Sequence, residues 1–204
     1  MSSGPPARPN GMPNLDHSRA AQQMAELVAG VPDGALGDPT PCADYTVGDL
    51  LDHIVGFTRG LAAAARKQVD PDAPPPPLGS AANLDPAWRT SLPGDLADLA
   101  AAWREPGATD GMVRAGGADF PGEVVAGVAL EELIVHGWDL ARATGQHFAA
   151  DEADLQVTEG FLAQFQSPDA PAGSAYAPPV EAAAGASLLD RVIALSGRNP
   201  AWTP

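Results

Sequence analysis

The sequence predicts an all-α fold, on three observations. Hydrophobic residues make up 45% of the 204-residue chain and charged residues 18%, and alanine dominates the apolar part, which favours closely packed helices over a sheet of Val and Ile. Apolar positions recur at helical spacing in several segments, whereas strand-like runs are few. Those segments stop at glycine or shortly before proline, as helices do. The length suits one domain of ordinary size, expected over residues 14–204. Residues 1–13 carry Pro5, Pro6, Pro9 and Pro13 with little to bury, and are expected to be a disordered lead, neither signal peptide nor membrane anchor.

Charge and cysteine content narrow the function. A formal net charge of -15, with only 11 Lys and Arg, argues against nucleic acid or an anionic membrane as partner, because phosphate binding needs clustered cations. No apolar run approaches a membrane span. Cys42 is the single cysteine, so an internal disulfide and a thiolate-rich zinc site are excluded, and a cytoplasmic setting is expected. The expected partner is a small molecule or another protein. The assembly is guessed to be a homodimer.

The first helix is expected over residues 15–29, on Leu15, Met24, Leu27, Val28 and several alanines, closed by Gly30 and Pro32. His17 falls in its first turn and reads as solvent-facing. Thr46 with Asp49 three residues later is a capping-box variant, so a helix is expected from Val47 to about Gln68 with Leu50, Ile54, Phe57 and Leu61 as its buried stripe. His53 lies at the border of that stripe. Residues 70–80, with Pro71 and Pro74 to Pro77, cannot be helical and read as a stiff extended spacer. Residues 85–104 are expected to be helical in two pieces, because Pro86 and Pro93 each suit a first helical position. Trp88 and Trp103 read as packing residues, and Met112-Val113-Arg114 as a small strand or crossover. A helix over residues 122–144 ends at Gly145, and His147 beyond it reads as exposed. Residues 153–165 form a further helix and residues 167–185 a loop. A short helix over residues 187–195 ends at Gly197, ahead of a docked tail.

The helix over residues 122–144 carries the chemistry. Glu132 and His136 are four residues apart and share one face, which Asp139 continues and which runs back into Ala129, Val128 and Val125. A carboxylate and an imidazole pointing inward need partners, and two ligands at helical spacing can hold a divalent metal. His53 is the candidate third donor, since His17 and His147 sit in poorer places. His53, Glu132 and His136 would occupy one side of an ion and leave the opposite side for water or substrate, as catalytic sites do. Zinc, nickel and iron(II) all suit such donors, with zinc the expected ion. The bland alternative is a buried hydrogen bond between Glu132 and His136, which spacing alone favours, because short ligand patterns arise by chance. Asp139 and Arg142 read first as an intrahelical ion pair, and Trp138 and Leu140 as core.

Two separated motifs and the tail carry a resemblance. Thr40-Pro41-Cys42-Ala43-Asp44-Tyr45-Thr46-Val47-Gly48-Asp49-Leu50-Leu51-Asp52-His53, together with Glu132-Leu133-Ile134-Val135-His136-Gly137-Trp138-Asp139-Leu140-Ala141-Arg142-Ala143-Thr144-Gly145, resembles the actinobacterial metal-binding branch of the DinB-like superfamily. That branch includes mycothiol-dependent maleylpyruvate isomerase. The ending, Leu188-Leu189-Asp190-Arg191 through Gly197-Arg198-Asn199-Pro200-Ala201-Trp202, is similar to that of a shorter subgroup. The resemblance implies a DinB-like four-helix bundle with additional short helices, and a divalent metal held by His53, Glu132 and His136. It further implies mycothiol as cofactor, and with the metal reading now favoured it suggests a thiol-dependent S-transferase or isomerase acting on an electrophilic substrate. Asp139 and Arg142 are the candidates for support around the metal and cofactor. After the bundle this chain has only a helix and a tail, where the isomerase carries an additional C-terminal domain; S-transfer, the activity of other members, needs only the bundle. The alternative from another class is a noncatalytic metal-binding or protein-interaction module.

Overall fold

The computed structural model describes residues 15–43, 45–165 and 177–204. The expected disordered lead, Asp44 of the first motif and most of the loop before the last helix lie outside the described residues. Four helices form the bundle: α1 (Ser18–Ala29), α2 (Val47–Ala65), α3 (Trp88–Arg104) and α4 (Gly122–Ala143). α1 and α2 each pack against both α3 and α4, so the helices run α1, α3, α2, α4 around the core. α5 (Glu152–Phe165) packs on α4, and α6 (Leu188–Leu195) packs on α5. A short antiparallel hairpin, β1 (Met112–Ala115) and β2 (Ala118–Pro121), precedes α4. The strand expected at Met112 is therefore half of this hairpin.

α2 starts where its cap predicts. The Thr46 hydroxyl accepts the Asp49 amide at 3.3 Å, and Asp49 Oδ2 accepts the Thr46 amide at 2.9 Å, which satisfies two otherwise orphaned donors. Leu50, Ile54, Phe57 and Leu61 are buried, so the stripe faces the core and His53 takes its border.

α3 differs from expectation, being one helix rather than two. Residues 85–87 form a turn, with Asp85 accepting the Trp88 and Ala87 amides at 2.9 and 2.8 Å, and the helix then runs through Pro93. Its buried row Trp88, Leu92, Leu96, Leu99 and Trp103 spans the proline. Burying Trp88 and Leu92 on that row contributes roughly 1.5–3 kcal/mol for each side chain, which offsets the bond lost at Pro93, about 3 kcal/mol.

His17 also departs from expectation. α1 begins at Ser18, so His17 is the residue at the helix mouth, and its ring is fully buried. Its Nε2–H donates to the Ala126 carbonyl of α4 at 2.9 Å, and the ring lies 5.9 Å from that of Trp103.

The proline-rich connection between α2 and α3 is anchored on α2. Ser80 and Ala81 donate their amides to Asp52 and Asp49 at 2.9 and 2.7 Å, and the Gly79 amide donates to the Tyr45 hydroxyl at 3.2 Å. A methyl at Gly79 would stand 2.4 Å from the Asp49 carbonyl oxygen and 2.8 Å from His53 Cβ, so only glycine lets the strap lie directly on the turn that carries His53.

Among the described residues, no helix is long and apolar enough to cross a membrane.

Candidate metal centre

His53 of α2 and Glu132 and His136 of α4 converge. Each imidazole places Nε2 3.2 Å from Glu132 Oε2, and the two rings meet edge to face with centroids 4.7 Å apart. The three donor atoms all lie within 4.8 Å of one another. Donors about 2.1 Å from a tetrahedral ion stand roughly 3.4 Å apart, so two of these separations already have the spacing that one shared cation requires. Two imidazoles and a carboxylate are a donor set suited to zinc, nickel or iron(II). The residues present fit a divalent metal.

The cluster is open on one side. His136 is 9% exposed at its side chain, whereas His53 and Glu132 are 26% and 22% exposed. Phe57 and Tyr45 complete its wall, with ring centroids 5.6 and 5.5 Å from that of His53. His136 forms the inner side of the cluster, and His53 and Glu132 the outer one.

Electrostatics follow from that burial. Removal from water alone would raise the Glu132 carboxyl, but the hydrogen bonds from His136 and His53 hold it well below the usual carboxylate range. Burial alone would depress His136; its hydrogen bonds to Asp139 and Glu132 instead push it up to about 9. Glu131, buried and beside the charge of Glu132, is pushed up to about 8.

Asp139 is fully buried and accepts His136 Nδ1–H at 2.9 Å. A ring bound in this way at Nδ1 turns Nε2 toward Glu132 and His53. The ion pair expected between Asp139 and Arg142 does not form: Asp139 pairs with Arg198 at 3.1 Å, and Arg142 donates to the Trp202 carbonyl while lying 5.9 Å from the Trp138 ring. Both arginines thereby fasten the C-terminal tail to α4.

Sequence reasoning missed Glu131 and Arg198. Glu131 had a signal, since it interrupts an otherwise apolar helical row of Val124, Val128, Val135 and Trp138. Arg198 had none, because its partner lies 59 residues away. His147 is exposed as expected. It borders a cleft of about 750 Å³ between α1 and the start of α5, lined also by Arg19, Glu26 and Asp151, on a different face from the His–Glu–His cluster.

A helical bundle with two histidines and a carboxylate gathered between two of its helices places this chain among the DinB-like proteins. It belongs, more closely, to the mycothiol maleylpyruvate isomerase N-terminal domain family, which residues 17–141 match. It is 31% identical over 134 residues to Uncharacterized protein Rv0738 of Mycobacterium tuberculosis, a match covering 66% of this chain and 68% of that one. The same figures hold for Uncharacterized protein MT0763 from a second strain of that organism. The crystal structure of a mutant of mycothiol-dependent maleylpyruvate isomerase has the same fold, with a TM-score of 0.54 at 15% identity. That match covers 71% of this chain but 65% of the other, just under two thirds of its length.

Proposed function

We propose that this protein binds one divalent metal ion, zinc above all, through His53, Glu132 and His136, and uses it to activate mycothiol or a thiol of that class. The observation that carries the reading is the convergence of three ligand atoms within 4.8 Å from two helices, on a side still open to small molecules. Bound there, the cation would favour the thiolate over the thiol, providing a nucleophile that is scarce at neutral pH. A closed structural site would need a fourth protein ligand, and among the described residues no fourth His, Cys, Asp or Glu joins this group.

The chain's own residues would do the rest. His53 and Glu132, on the open side, border the space a thiol must enter, and Phe57 and Tyr45 exclude water from one flank. Asp139 keeps His136 in the orientation that presents Nε2. In S-transfer the thiol's proton passes to solvent, a sulfur–carbon bond forms at the electrophilic carbon, and the leaving group departs with the electron pair of its bond. In isomerisation the sulfur adds to a conjugated double bond and the sulfur–carbon bond breaks again after rotation. Membership in the mycothiol maleylpyruvate isomerase N-terminal domain family supports the thiol. A reducing cytoplasm suits both.

The test is metal analysis of untagged protein beside His53→Ala, followed by thiol consumption assays with mycothiol and model electrophiles. About one ion per chain, lost in the variant, together with metal-dependent thiol consumption, is the expected result. An ion without thiol chemistry would leave a noncatalytic metal-binding module. No ion in either protein would return the three residues to a hydrogen-bonded core.

A further inference from the structure

The chain's last segment reaches the metal centre. α6 ends in a Schellman arrangement: Arg198 donates its amide to Ile193 O at 3.1 Å and Gly197 donates to Ala194 O at 3.0 Å, with Gly197 at φ +82°. This left-handed step, which also lets Ala177 and Pro178 approach closely, reverses the chain. Arg198 thereby points back at α4, its side chain 13% exposed.

There its guanidinium splits between two acceptors. Nη1 donates to the Ser196 carbonyl at 2.9 Å within the tail, and Nη2 donates to Asp139 Oδ2 at 3.1 Å. The same Asp139 oxygen accepts His136 Nδ1–H. A fully buried carboxylate is unfavourable without a compensating charge, and when His136 gives its Nε2 lone pair to a cation, the neighbouring ring supplies only a hydrogen bond. Arg198 is the cation that touches Asp139.

We propose that Arg198 is a positioning residue of the metal centre. By fixing and compensating Asp139 it holds the His136 ring with Nε2 facing Glu132 and His53, and the C-terminal tail thereby sets how tightly the ion is retained. The inference rests on the metal reading above.

Arg142 supplies the control. It also ties the tail to α4, through the Trp202 carbonyl, but the hydrogen bonds and ion pairs of Asp139 run to His136 and Arg198. Zinc affinity would be measured by chelator competition, and the cobalt(II) absorption spectrum recorded, for the full-length wild type, Arg198→Ala, Arg198→Gln, Arg198→Lys and Arg142→Ala, with helical content followed by circular dichroism. Arg198→Ala and Arg198→Gln should each lose about 10–100-fold in zinc affinity and shift the cobalt bands. Arg198→Lys should recover most of that loss, and Arg142→Ala should stay clear of the roughly 10-fold loss that removing an outer partner causes even where its melting temperature falls. If Arg198→Ala does not fold, Gln against Lys decides the question. Wild-type affinity in Arg198→Gln overturns the proposal, as does an equal loss in Arg142→Ala, which would assign the effect to tail packing. A wild type that takes up neither zinc nor cobalt overturns the metal reading itself, and this inference with it.

Discussion

His136 Nδ1 stands 2.9 Å from Asp139 Oδ2, three residues along the same helix. The contact lies within α4, and Arg198 of the tail holds the same Asp139 oxygen from outside the helix. It also leaves Nε2 as the nitrogen that faces His53 across the bundle. The consequences can be measured.

Removing the His136 ring should abolish tight metal binding and leave the fold standing. In His136→Ala, Glu132 keeps its contact with His53 and Asp139 keeps Arg198, so neither carboxylate is stranded. A drop of at least about 100-fold in zinc affinity is expected, beyond what loss of an outer partner causes, with helical circular dichroism retained. Full metal occupancy in this variant would contradict the assignment of the ligand.

Acid should weaken the fold through His17. Burial lowers the pKa of its ring below the ordinary 6.5, only partly opposed by the hydrogen bond to Ala126, and among the described residues Nδ1 has no hydrogen-bond partner to take a second proton. In the unfolded chain the ring takes up a proton as pH falls through about 6.5; in the folded protein it does so only at lower pH. The unfolded state therefore binds more protons in that interval, so the contribution is fully present above pH 6.5 and is lost below it, by at most about 1.4 kcal/mol per pH unit. Urea midpoints at pH 7.5 and 5.5 should show wild type losing more than His17→Gln. Equal losses would mean that the ring titrates normally.

Truncating the α2 cap should have a modest cost. Thr46→Ala removes the acceptor for the Asp49 amide, worth about 1 kcal/mol, and a chain of this size should then melt roughly 2–4 °C lower. An unchanged melting temperature would show that the start of α2 is held by other contacts.

Gly79→Ala should be harsher. The added methyl meets backbone on one side and His53 Cβ on the other, neither of them the free end of a flexible side chain. Overpacking of this kind costs about 1–3 kcal/mol, and displacement of His53 should weaken metal uptake at the same time. A variant with wild-type stability and wild-type uptake would show that the strap lies farther from α2.

Much of this was legible because the decisive signals were local. The Thr46–Asp49 box set the start of α2, Gly145 at φ +67° closed the end of α4, and helical spacing put Glu132 and His136 on one face. The misreadings came where distant packing overruled local cues. At Pro93 the buried row of Leu92 and Leu96 carried the helix through a residue that ordinarily starts or breaks one. At His17, a start three residues later than expected converted a surface position into a buried helix mouth. Arg142 was the obvious partner for Asp139 by helical spacing, yet Arg198 took that place because Gly197 turned the chain back. His53 was found by elimination, and its proximity to Glu132 is a property of the α2–α4 packing that no spacing encodes.

The strap over residues 70–80 has no repetitive hydrogen bonding of its own, yet three successive amides, Gly79, Ser80 and Ala81, are spent on Tyr45, Asp52 and Asp49. Pinning the whole connection between α2 and α3, residues 66–87, at residues 79–81 divides one large closure into two smaller ones, each with fewer conformations to lose. Solvent deuterium should therefore enter these three positions slowly, in step with the opening of α2 rather than with the loop around them. A segment that looks irregular would then belong, in the order of unfolding events, to the helix that presents His53.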